Sequence, residues 1–114
     1  MQLNDDQKKA LKILARLGRT TLAMVTDVYH SPEFDGFELD EETFLEQQQD
    51  VESLLRGLQV AGLAEDFMAE IKSPLGFPML TESGWEITEP GAAEAQKLPE
   101  SLLEGLTFPA TAKN

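Results

Sequence analysis

A chain of 114 residues with 41% hydrophobic content can build one apolar core and is too short for two ordinary domains. It has no cysteine and a single histidine, His30, which excludes disulfides, thiolate nucleophiles, cysteine-based zinc sites and a His-His metal pair within one chain. Its formal net charge is -12, so the average field repels phosphate backbones and attracts basic surfaces. The charge is unevenly spread. Residues 1 to 19 hold Lys8, Lys9, Lys12, Arg16 and Arg19 against only Asp5 and Asp6, whereas no Lys or Arg occurs from Thr20 to Leu55. No apolar run approaches the roughly 20 residues of a membrane span, and Met1 to Asp6 has no basic or apolar leader pattern, so a cytoplasmic location is expected.

Ala10, Leu11, Ile13, Leu14 and Leu17 recur at helical spacing and predict a first helix over Asp5 to Leu17, capped by Asn4 or Asp5 and ended by Gly18. A second helix is expected after Arg19, with Thr20 or Thr21 as cap and Leu22, Val25 and Val28 or Tyr29 inward. It stops near His30 because Pro32 disfavours helix at Ser31. Ser31 to Leu39 reads as an acidic loop. A long third helix starts near Asp40, buries Val51, Leu54, Leu55 and Leu58, and ends at Gly62.

Alternation from Glu65 to Lys72, a Ser73-Pro74-Leu75-Gly76 turn and a return over Phe77 to Leu80 predict a two-stranded hairpin, its second strand edge-like because Pro78 lacks an N–H. Thr81 is expected to cap a further helix containing Trp85 and Ile87, interrupted or restarted at Glu89-Pro90-Gly91. Short helical stretches follow from Ala92, including PESLLEGL. The expected fold is mainly α with a small β-hairpin: a domain over residues 1–97, then a tail over 98–114 with a short amphipathic helix.

Val51 to Glu65 (VESLLRGLQVAGLAE) and Leu80 to Trp85 (LTESGW) resemble the third-helix exit and the post-wing segment of MarR- and PadR-type winged helix-turn-helix regulators. The resemblance implies three helices followed by a two-stranded wing, with the third helix in the DNA major groove and the wing on phosphates. No subfamily is indicated. The charge departs from that family pattern. The third helix carries Glu41, Glu42, Glu46, Asp50 and Glu52 with Arg56 as its sole cation, and the wing sets Glu65, Asp66 and Glu70 against Lys72. A DNA reader neutralises roughly 6 to 10 phosphates, and this face lacks the cations to do so.

Two readings follow. The first is a non-enzymatic acidic interaction module, such as a small regulator or a phage-type inhibitor that mimics DNA towards a nucleic-acid-binding machine. It takes a basic protein partner on a belt of Glu33, Asp35, Glu38, Asp40, Glu41, Glu42, Glu46 and Asp50. The alternative is a dimeric DNA-binding regulator that uses Lys8, Lys12, Arg16 and Arg19 on or beside the first helix, with Gln47, Gln48, Arg56 and Lys72. For the basic helix, the plainer reading is a solvated face that pairs with acids elsewhere in the fold or in a second subunit. Leu98, Leu102, Leu103, Leu106 and Phe108 either pack back on their own domain or make a homodimer, for which the first helix is the other candidate surface.

No cofactor is expected. Residues 31–42 match a calcium loop only in part, since Ser31 replaces the first Asp and Glu38 the usual aliphatic residue. His30 has no Gly-x-Ser-x-Gly partner motif. Paired carboxylates among 21 acids are uninformative.

Overall fold

A computed structural model describes residues 3–31, 41–72, 74–76 and 78–108. Helix α1 spans Asp5–Leu17 and begins with a capping box: Asn4 Oδ1 accepts the Gln7 N–H at 2.7 Å while Gln7 Oε1 accepts the Asn4 N–H at 3.0 Å. Asn4, not Asp5, is therefore the cap. Gly18 ends the helix with φ of 79°, and its N–H donates to Leu14 O.

The chain next forms a short strand, β1 (Arg19–Thr21), which the sequence reading did not anticipate. Thr21 then caps α2 (Leu22–Tyr29), its hydroxyl accepting the Met24 N–H at 3.2 Å. Helix α3 covers Glu41–Val60, and Gly62, at φ of 81°, turns the chain out of it while the Leu63 N–H donates to Leu58 O. Of the expected acidic loop (Ser31 to Leu39) and the partial calcium motif (residues 31–42), positions 32–40, with Phe34 and Phe37, lie outside the described residues, while Glu41 and Glu42 belong to α3.

Strands β2 (Ala64–Lys72) and β3 (Pro78–Ile87) pair antiparallel, and β1 joins the other side of β3, giving the order β1-β3-β2. The expected two-stranded wing is thus part of a three-stranded antiparallel sheet. The expected helix from Thr81 is also corrected, because Thr81 to Ile87 continues β3. Arg19, Thr20 and Thr21 face Glu86, Trp85 and Gly84, while Asp66 and Phe67 face Trp85 and Gly84 from the opposite side. Ladders on both sides outweigh the capping tendency of Thr81, and Gly84 would weaken a helix by roughly 1 kcal/mol. Pro78 needs no outer edge: it sits at the start of the central strand, beyond the reach of β1, at a register irregularity opposite Lys72.

Helix α4 (Glu89–Gln96) starts one residue after β3, with Thr88 Oγ1 accepting the Gly91 N–H at 3.0 Å. A single 3-10 turn, Glu100–Leu103, replaces the amphipathic helix expected in PESLLEGL. Leu98, Leu103, Leu106 and Phe108 pack against the core. That core joins Ala10, Leu11, Ile13 and Leu14 of α1 to Val25 and Val28 of α2, Val51, Leu55 and Leu58 of α3, and Trp85 of β3. Among the described residues the protein is mainly helical, with four α-helices and one small sheet.

The first turn of α4 docks on the exit from α3. The Thr88 N–H donates to Leu63 O at 3.1 Å and its hydroxyl to Gly62 O at 2.8 Å. A Cβ on Gly91 would collide with the Leu63 carbonyl, which is backbone and cannot swing aside. Gly91→Ala should therefore destabilise the protein by about 1–3 kcal/mol, read as a lower urea midpoint at unchanged slope. Gly84→Ala, whose nearest obstruction is the Phe67 ring, a side chain and not backbone, should cost less in the same measurement.

Candidate functional site

Helix α3 divides into two halves. Val51, Leu55 and Leu58 of its second half are buried, while none of residues 41–50 is. At about 100° per residue, Glu42, Glu46 and Asp50 fall within an arc of about 80° and succeed one another about 6 Å apart along the axis. All three are exposed, with Gln49 and Ser53 on the same side and Leu45 half exposed at 50%. Glu41 is also exposed. The structure thus brings three of the eight acidic-belt residues onto one face of α3 and leaves a fourth, Glu41, exposed elsewhere on the same half-helix. The other four, Glu33, Asp35, Glu38 and Asp40, lie outside the described residues.

Below this face is an open cleft of about 390 Å³, lined by Asp6 of α1, Tyr29 and His30 at the end of α2, and Asp50, Ser53 and Leu54 of α3. Asp50 belongs to both face and cleft. A lining that combines the carboxylates of Asp6 and Asp50 with Tyr29 and Leu54 suits a long basic side chain: charge for its head, apolar surface for its stem. Lys9 already shows the chemistry, its ammonium 4.3 Å from the centre of the Tyr29 ring. Asp6, Tyr29, Ser53 and Leu54 are not recognisable as a group in the sequence, because nothing in the linear pattern places the start of α1 beside the middle of α3. Among the described residues, no group of three or more Asp, Glu or His is arranged to hold a metal ion.

The candidate nucleic-acid contacts are dispersed and largely engaged. Lys12 is buried, with its ammonium donating to Ala95 O at 3.1 Å and pairing with Glu100 at 2.8 Å. Arg16 lies over the Phe108 ring at 4.8 Å. Arg19 stacks 3.9 Å from the centre of Phe67 and approaches Glu86. Lys8 is half-buried, and Lys72 closes β2. Gln47 and Gln48 are both half-buried. Lys12, Arg16 and Arg19 thus each take part in contacts within the fold.

Arg56, the sole cation of α3, is held as firmly. It donates to Asp66 at 2.8 Å, Gln59 at 2.9 Å and Glu52 at 3.3 Å, and its guanidinium lies 4.9 Å from the centre of the buried Trp85 ring. Gln59 in turn donates to the other Asp66 oxygen at 2.8 Å. The hydrogen bond from Arg56, then that from Gln59, holds the Asp66 carboxyl below its ordinary value, and the bond to Asp66 is the first reason the Arg56 guanidinium keeps its proton more tightly.

A carboxyl with a depressed folded pKa stabilises fully above its unfolded value, and that contribution is lost as pH falls through the folded one. Asp66→Asn should therefore lower the thermal midpoint at neutral pH, and the difference from the parent should shrink below about pH 4. Thermal unfolding across a pH series checks this. Compared with known proteins, the chain matches no family model, no curated protein and no solved structure.

Proposed function

We propose that this chain is a non-enzymatic winged-helix interaction module that binds a basic protein surface along the first half of α3 and in the cleft beside it. One observation carries this reading. Glu41, Glu42, Glu46 and Asp50 face solvent on a half-helix without a cation, while Lys12, Arg16, Arg19 and Arg56 are engaged inside the protein's own contacts. A partner with Lys or Arg side chains at helical spacing would gain close charge pairs along the face, with Leu45 as an apolar contact. The partner class is a small regulator's target or a nucleic-acid-binding machine whose phosphate-binding surface meets carboxylates instead.

The order α1, β1, α2, α3 and then the β2–β3 hairpin supports the winged-helix part of the proposal. DNA binding through the same face would need phosphates to approach these carboxylates. The alternative of a DNA-binding dimer would have to recruit the buried Lys12 from its pairing with Glu100 and Arg16 from its place over Phe108, at the loss of those contacts.

The parent protein should bind a Lys- and Arg-rich helical peptide with an affinity that falls as salt rises, and should not bind a 20-base-pair duplex near 0.15 M salt. Reversing Glu42, Glu46 and Asp50 to Lys together should weaken the peptide at least tenfold. Each change should alter stability by no more than about 0.5 kcal/mol, because all three side chains are exposed. Peptide titration and thermal unfolding of the same samples separate lost docking from lost folding. Tight, steeply salt-dependent duplex binding by the parent would instead favour the DNA-binding alternative.

A further inference from the structure

Lys12 is the most deeply placed cation among the described residues, only 8% exposed. An ammonium held that far from water demands acceptors, since an unpaired buried charge costs several kcal/mol. It has two, of different character. Ala95 O, at 3.1 Å, is backbone in the last turn of α4, fixed by the helix and at the end that attracts cations. Glu100 Oε2, at 2.8 Å, comes from the outside: the Glu100 side chain is 77% exposed and sits on a 3-10 turn of only four residues. Around the pair is a cavity of about 180 Å³ lined by Lys12, Ala15, Arg16, Glu100 and Leu103.

The Glu100 carboxylate thus borders a cavity whose lining also holds the buried Lys12 and the exposed Arg16. Its own pKa is lowered first by the hydrogen bond from Lys12 and then by the Lys12 charge, with a further contribution from Arg16. The segment that brings Glu100 there is lightly held. No residue from 97 to 108 is buried, and beyond its half-buried apolar side chains it is tied by the Thr107 N–H donating to Ser31 Oγ at 2.8 Å and by Phe108 under Arg16.

We propose that Lys12, its ammonium anchored by the Ala95 carbonyl, and Arg16 form an oxyanion-binding site that Glu100 engages in cis and that an external carboxylate or phosphate enters when Glu100 is displaced. The fixed part of the pocket belongs to α1 and α4, and the exchangeable part is the acid on the outer turn. A tethered carboxylate competes at an effective concentration in the millimolar range, so the parent protein should bind free anions weakly. Removing the tethered group should expose the site.

Titration of 15N-labelled protein with inorganic phosphate, and separately with acetate, tests this on the full chain. Glu100→Ala should bind phosphate at least tenfold more tightly than the parent, with shifts centred on the amides around Lys12 and Arg16, and Glu100→Gln should behave likewise. Adding Lys12→Met or, as a change on the exposed side, Arg16→Ala to the Glu100→Ala protein should reverse the gain. A gain with phosphate and acetate alike identifies a carboxylate-accepting pocket, and one with phosphate alone a phosphoryl-accepting pocket; both uphold the proposal. Equal phosphate affinity in parent and Glu100→Ala, or a gain that survives both second changes, overturns it.

Discussion

Ala10, Leu11, Lys12, Ile13 and Leu14 are all buried, and at about 100° per residue five consecutive positions pass completely around a helix. The middle of α1 therefore has no solvent face. Helices α2, α3 and α4, the sheet and the C-terminal 3-10 turn all contact it, and four of the five buried side chains repay that enclosure with apolar burial. Lys12 cannot. Its charge is tolerable only because α4 ends with a carbonyl at the right place and Glu100 returns across the helix to meet it. The course of the chain after α4 is thus fixed as much by one ammonium as by Leu98, Leu103, Leu106 and Phe108.

The same economy runs through the other cations. Arg19 covers Phe67, whose ring in turn lies where Gly84 has no Cβ. Arg56 covers Trp85 and ties the second half of α3 to β2 through Asp66. In each case the long stem and flat head of arginine shield an aromatic ring while the charge stays in reach of a carboxylate. Cations spent in this way leave an outer surface on which carboxylates are unopposed, and the first half of α3 is where that surface is longest.

Local pattern was enough for α1, α2 and α3, because their caps and stops are chemical: Asn4 with Gln7, Gly18, Thr21 and Gly62 each satisfy or release a backbone group within a few residues. It failed where distant residues decide. Thr81-Glu82-Ser83-Gly84 has a helix-start composition, yet β1 and β2 pair with Gly84 to Glu86 from both sides. Arg19 to Thr21 is too short to carry a strand period and becomes one by pairing with β3. Lys12 is flanked by Leu11 and Ile13 in sequence, but it carries a charge that ordinarily stays in water, so its burial was illegible without knowing that residues 97–108 return over α1. For the candidate surface, the acidic run on α3 was readable from spacing alone, while the cleft was not, since Asp6 and Asp50 meet only through the packing of α1 on α3.

Helix energetics make the acidic half of α3 worth explaining. Glu41 and Glu42 in the first turn interact favourably with the helix dipole. Glu46 and Asp50 lie past that turn, and Glu42 with Glu46 and Glu46 with Asp50 are like-charged i, i+4 pairs, each destabilising by about 0.2–0.5 kcal/mol. No internal contact described for these side chains offsets that loss, in contrast to Glu52, which pairs with Arg56. The repulsion is small against the burial of Val51, Leu55 and Leu58, so the core can carry it. A basic partner laid along the helix would turn the repulsive pairs into shared attractive ones. The cost borne by the free protein would then become part of the free energy of docking, and binding would be steepest in its dependence on salt where the carboxylates are most crowded.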